Sequence, residues 1–336
     1  MNHLPPLRFQ PLIRRYLWGG RRLESLLGKQ LPAGNDFAES WELVDHGVDQ
    51  SQVLAGPYAG ATLAELLDQF PVELLGDDAE KIPRIPVSDA SRERPAFPLL
   101  FKFLDAHQAL SVQVHPNDLQ AAQQTPPDLG KTEAWVVLHA DPGAVLYAGL
   151  KRGFDRPVFE REVRRGTTEL CLHKTYPQVG DCFFIPAGTV HAIGAGLVVA
   201  EVQQSSDTTF RLFDWNRVGP DGKPRPLHIE QALPVIDYQT GPIGAQIPQA
   251  TDRPYAQQLI RCEKFVLERW TLSHETSVGS EGKFRVLMVL DGAVTLAGDP
   301  LSSPVTKGQT VLLPASLNAV SIIPAGTSTI LTASLP

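Results

Sequence analysis

The sequence predicts a mainly β protein built from two related β-barrels with short helical insertions. Three observations predict this fold class. Many short apolar or alternating segments end at glycine or proline, and the chain of 336 residues holds 29 prolines. Few long helical patterns occur, and a strand–turn–strand pattern appears once in each half. With 43% hydrophobic and 20% charged residues, the composition is typical of a globular protein that buries a core.

The elements of the first half follow from local patterns. A helix is expected over 62–75, where leucines recur at helical spacing and Thr62 with Glu65 forms a capping box. A second short helix is expected over 155–166. Alternating or apolar runs predict strands over 38–44, 99–104, 110–116, 132–138, 181–185 and 197–202.

Two segments are expected to lie outside the barrels. Residues 77–97 are rich in charge and proline and are predicted to form a surface excursion, with a role as a lid left open. Residues 237–254 are polar, contain glycine and proline and lack periodicity, which is typical of a linker.

The repeat aligns 180–187 with 308–315, and 130–138 with 282–290. The strand–turn–strand pattern shared by the two halves favours two related barrels. Because the matches are short, a chance likeness between strands remains an alternative.

Charge and hydropathy exclude several classes of protein. The formal net charge of −7 argues against binding to nucleic acid or to an anionic membrane surface, since both need a basic face. No apolar run is long enough for a membrane span, and the first twenty residues do not read as an export signal. The three cysteines lack CxxC spacing, which favours a reduced, cytoplasmic protein.

One group of side chains has the chemistry of a metal site. Gln113 and His115 lie two residues apart on a predicted strand and therefore share one face. Glu133 and His191 lie on or beside two further strands. Two imidazoles, a carboxylate and an amide suit zinc, although each residue could also be an ordinary polar side chain.

The repeat limits this site to one barrel. In the second block, Ala319 takes the place of His191 and Arg285 takes the place of Glu133. Neither can bind a cation, so only the first barrel is predicted to hold metal.

Cationic side chains near these positions suggest an anionic substrate. Lys102, Lys131 and Arg211 all fall in the first β block, and Ser111 could add a hydroxyl. The alternative is that they are solvated surface charges, which is less suited to Lys102 because it interrupts the apolar run LLFKFL. Glu201 follows an apolar run and is a candidate general base or, alternatively, a structural partner of Arg211. Asp207 is a spare carboxylate.

At these residues the sequence resembles a known family. The segments YLWGG, AESWEL, LLFKFLDAHQALSVQVHPND, GKTEAW and GDCFFIPAGTVHAIGAGLVVAEVQQSSDTTFRLFDWNR occur in order between residues 16 and 233. Together they resemble the class I mannose-6-phosphate isomerases in their short bacterial form. The C-terminal eighty or so residues resemble the second β domain of the family only loosely.

The resemblance implies a cupin-type jelly roll with one zinc ion per chain, held by Gln113, His115, Glu133 and His191. It also implies catalytic roles for Arg211, Lys131 and Glu201, with Ser111 and Lys102 on the substrate phosphate. Lys131 or a water at the metal are alternatives to Glu201 as the base.

The implied activity is the interconversion of mannose 6-phosphate and fructose 6-phosphate through a cis-enediol. Alternatives are a metal cupin with other chemistry such as an iron oxygenase, a non-catalytic sugar-phosphate-binding protein, or a preference for another hexose. Residues 1–240 are predicted to form the catalytic domain and residues 241–336 a second β domain without metal. The expected partner is a small sugar phosphate, and the expected state is a monomer or homodimer.

Overall fold

The fold is mainly β, as predicted, and consists of two barrels that each contain two antiparallel sheets. A computed structural model describes residues 4–86, 93–219 and 222–336. The first barrel is built by strands between residues 12 and 213, and the second by strands between residues 249 and 334.

The strands of the first part, in chain order, are Phe9–Gln10 (β1), Leu12–Gly20 (β2), Phe37–Leu43 (β3), Asp45–His46 (β4), Asp49–Gln50 (β5), Gln52–Val53 (β6), Arg84–Pro86 (β7), Glu93–Pro95 (β8), Leu99–Ala106 (β9), Val112–Val114 (β10), Glu133–Ala140 (β11), Leu146–Leu150 (β12), Leu172–Thr175 (β13), Cys182–Ile185 (β14), His191–Ile193 (β15), Leu197–Gln204 (β16) and Phe210–Phe213 (β17). One sheet has the order β14-β11-β16-β9-β3-β2, and the facing sheet has the order β13-β12-β15-β10-β17. The six strand segments predicted for this half are all confirmed.

The strands of the second barrel are Gln249–Ala250 (β18), Ala256–Arg261 (β19), Val266–Leu272 (β20), Thr276–Gly279 (β21), Arg285–Asp291 (β22), Ala293–Leu296 (β23), Val305–Thr306 (β24), Thr310–Leu313 (β25), Ala319–Pro324 (β26) and Ser328–Ser334 (β27). Its sheets have the orders β18-β19-β20-β27-β22-β25 and β21-β26-β23-β24. The six-stranded order matches that of the first barrel strand for strand. This supports the repeat read from the sequence.

The helices are short. They are Arg22–Leu27 (α1), Leu63–Gln69 (α2), Pro71–Leu75 (α3), Asp118–Ala121 (α4), Arg156–Arg164 (α5) and Ile229–Ala232 (α6), with a 3-10 turn at Thr168–Cys171. No helix in the described ranges is long and apolar enough to cross a bilayer. The helix expected over 155–166 is α5.

The single helix predicted over 62–75 is wrong in one respect, because two helices occupy this range. The capping box of Thr62 and Glu65 forms as predicted at the start of α2. Phe70 then leaves the helical conformation (φ −136°, ψ 49°), and Pro71 begins α3. A proline lacks the N–H that would continue the helix and disfavours helical geometry in the residue before it.

The prediction of a surface excursion over 77–97 is also wrong for its flanks. Ile82 and Phe97 are buried, and the buried Arg94 guanidinium binds both oxygens of Asp45 at 2.5 and 2.6 Å. Charged side chains are rarely buried unless they are paired, and a partner so distant in sequence gave no local signal. The centre of the segment, 87–92, lies outside the described residues, so the role as a lid that the sequence left open is not tested.

The two barrels pack through the outer faces of their six-stranded sheets. Phe101 and Phe103 of β9 point into the same apolar cluster as Val286 and Met288 of β22, together with leucines of α2 and α3. Leu104, on the opposite face of β9, points into the first barrel. All eight residues of β9 are buried, so this strand has core on both sides.

Two aromatic rings lie at the centre of this contact. Phe97 precedes β9, and Phe284 precedes β22. Their ring centroids are 4.8 Å apart, and both side chains are fully buried.

Replacing Phe284 by alanine should therefore destabilise the whole chain, by about 3–5 kcal/mol as for other buried Phe-to-Ala changes. The measurement is the free energy of unfolding in urea. Ile247→Ala is the control, since Ile247 is 85% exposed and its loss should cost about 0.5 kcal/mol or less. A change at Phe284 as small as the control would show that the barrels do not depend on this contact.

Candidate metal centre and active site

The two sheets of the first barrel each bring a row of polar side chains to its interior. On one sheet, antiparallel pairing places Gln113 of β10 beside His191 of β15 and Arg211 of β17. A single row thus crosses three strands that are distant in sequence.

The facing sheet carries a second row. Trp41 of β3 pairs with Lys102 of β9, Lys102 with Glu201 of β16, and Glu201 with Trp135 of β11. Glu133 lies two residues before Trp135 and therefore points to the same side. Both rows face the interior between the sheets.

Three of the predicted metal ligands converge at the meeting point of these rows. The ligand atoms of His115, Glu133 and His191 all lie within 4.8 Å of one another, and all three side chains are buried. Glu133 Oε2 is 3.7 Å from Nε2 of His115, and Glu133 Oε1 is 3.2 Å from Nε2 of His191. Ligand atoms around a tetrahedral zinc ion are separated by about 3.4 Å, given zinc–ligand bonds of about 2.0–2.1 Å.

The outer nitrogens of both histidines are bound to backbone carbonyls. His115 Nδ1 donates to Thr208 O at 2.8 Å, and His191 Nδ1 donates to Thr189 O at 2.9 Å. These bonds place the proton on Nδ1 and leave the Nε2 lone pair facing the cluster. Burial lowers the pKa of His115 well below its usual value and that of His191 to about 4, so both rings are neutral at pH 7.

The fourth predicted ligand, Gln113, lies against the same cluster. Its side-chain amide is 3.2 Å from Nε2 of His191, and Ser111 Oγ is 3.5 Å from its Oε1. A half-turn of the amide exchanges its nitrogen and oxygen, which directs the carbonyl oxygen at the cluster. The sequence prediction of a four-residue ligand set is therefore compatible with the geometry.

The electrostatics of Glu133 fit a bound cation. Among the described residues, neither of its oxygens accepts a well-directed hydrogen bond, and neither does Nε2 of His115. Burial raises the pKa of Glu133 to about 7, opposed by Lys131, whose Nζ lies 3.2 Å from Oε2. A buried carboxylate with unfilled lone pairs is stabilised by a metal ion more than by any neutral neighbour.

Beside the cluster opens a cavity of about 260 Å³. The remaining side chains predicted for the site all line it: Lys102, Ser111, Lys131, Glu201 and Arg211. The sheets thus bring together every residue that the sequence singled out.

Lys102 and Glu201 form the inner wall of this cavity. Lys102 Nζ is 3.5 Å from Glu201 Oε1 and 3.7 Å from Glu39 Oε2, and Trp135 Nε1 donates to Glu201 Oε2 at 3.0 Å. Burial alone would lower the pKa of Lys102, but Glu39 and Glu201 together raise it above its usual value. Lys102 is therefore a buried, permanent positive charge.

Arg211 lies on the opposite wall and is not the partner of Glu201. Its Nη1 donates to Pro226 O at 2.9 Å, and its Nε is buried without a hydrogen-bond partner among the described residues. Burial, followed by the neighbouring Arg225, lowers the pKa of Arg211. The alternative in which Glu201 serves as a structural partner of Arg211 is thus not what the fold provides.

Comparison with known proteins identifies the family. The model of the type I phosphomannose isomerase catalytic domain matches residues 7–142, and that of the mannose-6-phosphate isomerase cupin domain matches residues 256–334. The chain is 34% identical to mannose-6-phosphate isomerase ManA of Bacillus subtilis over 313 residues, 93% of this chain and 94% of the relative. The chain belongs to the type I mannose-6-phosphate isomerases.

Other relatives and solved structures agree with this assignment. A mannose-6-phosphate isomerase of Streptococcus mutans is 31% identical, with 94% of each chain covered. The crystal structure of the mannose 6-phosphate isomerase from Bacillus subtilis superposes with a TM-score of 0.85 and 27% identity, covering 98% of this chain and 99% of that one. A putative mannosephosphate isomerase from Archaeoglobus fulgidus shares the fold, with a TM-score of 0.77, 22% identity, and 99% and 98% coverage. The resemblance read from the sequence is confirmed, and the protein is an enzyme of this family.

The second barrel of this isomerase has the same strand framework as the first barrel but lacks the metal-ligand side chains. Arg285 pairs with Leu313 as Glu133 pairs with Ile185, and Leu313 and Ile185 each directly precede a Pro-Ala turn. The pairing of Gly279 with Ala319 matches that of Gln113 with His191. Among the described residues, the first barrel holds the one group of three or more potential His, Cys, Asp or Glu ligands.

Several cavity residues escaped the sequence reasoning. Glu39, Trp135, Thr209 and Arg225 line the cavity, as do Tyr16 and Trp18 of the YLWGG segment. Glu39 is one of seven consecutive buried residues in β3, so the alternation of polar and apolar residues in that strand gave no sign that Glu39 faces the cavity. Arg225 lies in a loop and gave none.

Glu133→Gln should abolish tight metal binding, because the amide removes the negative charge that offsets the cation. Zinc content after gel filtration, measured by mass spectrometry, should fall well below that of the unaltered protein. Added zinc should also no longer raise the melting temperature. Glu39→Gln is the matched control: it neutralises a carboxylate in the same cavity but outside the ligand cluster, and should leave the zinc content unchanged. Equal zinc in both variants would remove Glu133 from the ligand set.

Proposed function

We propose that this protein is a zinc-dependent aldose–ketose isomerase that interconverts mannose 6-phosphate and fructose 6-phosphate through a cis-enediol. The observation that carries the proposal is the convergence of the His-Glu-His cluster with Glu201, Lys131, Arg211 and Lys102 on one cavity. The family membership supplies the reaction.

Gln113, His115, Glu133 and His191 are the proposed zinc ligands, with one ion per chain. When bound, zinc would supply a Lewis acid for the sugar oxygens at C1 and C2. The neutral histidines and the unfilled lone pairs of Glu133 support this set.

Glu201 is the proposed proton carrier. It would take the proton from C2 of the open-chain aldose and return a proton to C1, while the hydroxyl proton on O2 passes to O1. Trp135 and Lys102 fix its carboxylate at the cavity wall through contacts of 3.0 and 3.5 Å. These contacts hold its carboxylate in a defined position at the cavity wall, as a proton carrier requires.

Lys131 and Arg211 would stabilise the negative charge that develops on the sugar oxygens during proton transfer. They approach the cavity from opposite sheets. Lys131 lies beside Glu133, and the Nε of Arg211, which has no hydrogen-bond partner among the described residues, is available to a ligand. Fixed charges in a buried site act strongly because no solvent has to reorganise.

Ser111 and Lys102 are the proposed phosphate contacts. Both line the cavity, and Lys102 keeps its positive charge. Because Glu39 and Glu201 already share the charge of Lys102, the phosphate dianion also needs the cations Arg211 and Arg225 in the same cavity. Binding of the phosphate would hold C1 and C2 of the sugar in position for the reaction.

The remaining proposals concern the whole chain. Residues 1–240 form the catalytic domain, and residues 241–336 form the second domain without metal. We place the protein in the cytoplasm, as a monomer or homodimer. The linker predicted over 237–254 crosses the first barrel, where Ile243 N donates to Ala148 O and Gln246 N donates to Cys182 O.

The test is a coupled isomerase assay on mannose 6-phosphate, before and after chelation and after zinc is returned. Activity that disappears with the chelator and returns with zinc is the expected result. Substrate deuterated at C2 should lose part of its label to water, as an enediol requires, whereas full retention in fructose 6-phosphate would indicate a hydride shift. A protein that binds zinc but turns over no mannose 6-phosphate would overturn the proposed reaction.

Glu201→Gln should lower kcat by a factor of about 10²–10⁴, the usual contribution of a general base. Zinc content should stay unchanged, since Glu201 lies outside the ligand cluster. Glu230→Gln, an exposed carboxylate on α6, is the control and should retain full activity. Near-normal turnover by zinc-loaded Glu201→Gln would exclude Glu201 as the base and favour Lys131 or a water.

A further inference from the structure

We propose that Lys264 of the second barrel is a positioning residue for the isomerase site, acting through Asp118 on the segment that carries Lys131 and Glu133. The proposal rests on the proposed function, because it assigns a task to a residue outside the cavity. It also links the second barrel to the active site.

The segment 130–132 enters β11 with its backbone bound at each residue. Gly130 N donates to Asp118 Oδ1 at 2.9 Å, and Lys131 N donates to Pro116 O at 3.0 Å. Thr132 N donates to Gln204 Oε1 at 3.0 Å, and Thr132 O accepts from Gln204 N at 3.1 Å. These bonds fix where the side chains of Lys131 and Glu133 project, since both follow from the path of this backbone.

Asp118 is the junction of this network. Its Oδ1 accepts from Gly130 N and from Gln204 Nε2, both at 2.9 Å. Because Gln204 also holds Thr132, one carboxylate controls the segment at two points. Although burial would raise it, the pKa of Asp118 is lowered by its bonds to Lys264 and Gln204, so the group stays charged.

Gly130 shows how closely the two segments approach. A Cβ at this position would lie 2.5 Å from Asp118 N and 2.7 Å from Asn117 C. Such distances leave no room for a side chain, and the contact is with rigid backbone. The glycine of the GKTE motif is therefore explained by its close approach to Asp118.

The remaining oxygen of Asp118 is bound from the second barrel. Lys264 Nζ lies 2.6 Å from Asp118 Oδ2. Lys264 sits in the turn between β19 and β20, and the next residue, Phe265, is fully buried against the first barrel and contacts Phe184 edge-on. The turn is thus anchored in the contact between barrels, which holds the ammonium group in place.

Lys264 does not line the active-site cavity. A direct effect on substrate charge is therefore not its route. Its effect passes through the orientation of Asp118 and of the backbone at 130–132, which changes the placement of Lys131 and Glu133. Because the ion pair is partly exposed, its own contribution to the stability of the fold is small.

The experiment compares Lys264→Met, Lys264→Arg and Asp118→Asn in the full-length, zinc-loaded enzyme. Lys264→Met should lower kcat about 3- to 10-fold, below the 10- to 100-fold typical of groups bound directly to ligands. KM for mannose 6-phosphate should change less than about twofold, because the phosphate contacts are untouched. Lys264→Arg should restore most of the lost turnover, since it keeps the charge.

Two further readouts separate positioning from a loss of stability. Amide hydrogen exchange in the peptide that spans 130–132 should speed up in Lys264→Met and in Asp118→Asn. The double variant Lys264→Met/Asp118→Asn should have the same kcat as Asp118→Asn alone, because both changes break the same ion pair. Lys307→Met is the control, as it removes another second-barrel lysine that pairs with an acid, Asp291, at 3.8 Å on the surface.

Lys264→Met with the kcat and exchange rates of Lys307→Met would overturn the proposal. So would Lys264→Arg that stays as impaired as Lys264→Met. The exchange measurement does not depend on turnover. If the enzyme failed to isomerise mannose 6-phosphate, it would still decide the positioning role separately from the proposed function.

Discussion

The candidate active site depends on pairs of opposite charges that are buried on the inner face of the six-stranded sheet of the first barrel. Lys102 of β9 is paired across the strands with Glu201 of β16, and Lys131, just before β11, lies beside Glu133 at the start of that strand. None of these charges could remain inside the barrel alone, because an unpaired buried charge costs several kcal/mol. Pairing places each of them within 3.5 Å of an opposite charge, Lys102 beside Glu201 and Lys131 beside Glu133. In the proposed reaction, these fixed charges act on the charged substrate.

The second barrel provides the burial that this sheet needs. It covers the outer face of β9 with apolar side chains, so that strand is buried on both faces, and it also packs against Ala134 and Val136 of β11. Regions with few buried apolar contacts open locally more easily, and the position of the inner charges depends on these strands staying closed. The contact between barrels therefore serves the site even where no residue of the second barrel reaches the cavity, and Lys264 extends the same support by a specific bond.

Much of the fold and most of the site could be predicted from the sequence. Strand alternation placed Gln113 and His115 on one face, and the lysine inside LLFKFL indicated a buried charge. What could not be predicted depends on partners distant in the chain. No sequence pattern distinguishes Arg94 from a surface charge, because its partner Asp45 lies 49 residues away. Phe70 continues the helical spacing of the leucines before it, and only Pro71 indicates that the helix ends there. The link from Lys264 to Asp118 spans the two barrels, and no local pattern encodes it.

The second barrel shows why a shared framework does not suffice for a site. Register places Glu268 where the first barrel has Lys102, and Arg285 where it has Glu133, so the signs of the charges are exchanged. Arg285 Nη1 lies 3.7 Å from Glu268 Oε2, and Arg253 binds the other oxygen at 2.7 Å. The two guanidinium groups stack on Trp270, whose Nε1 donates to Glu268 Oε2 at 2.9 Å, so both oxygens of Glu268 have partners. In the first barrel, neither oxygen of Glu133 accepts a well-directed hydrogen bond from a described residue, and Glu201 lines the cavity. The carboxylate of Glu268 is therefore fully committed to its structural partners, whereas Glu133 keeps lone pairs that a cation can fill.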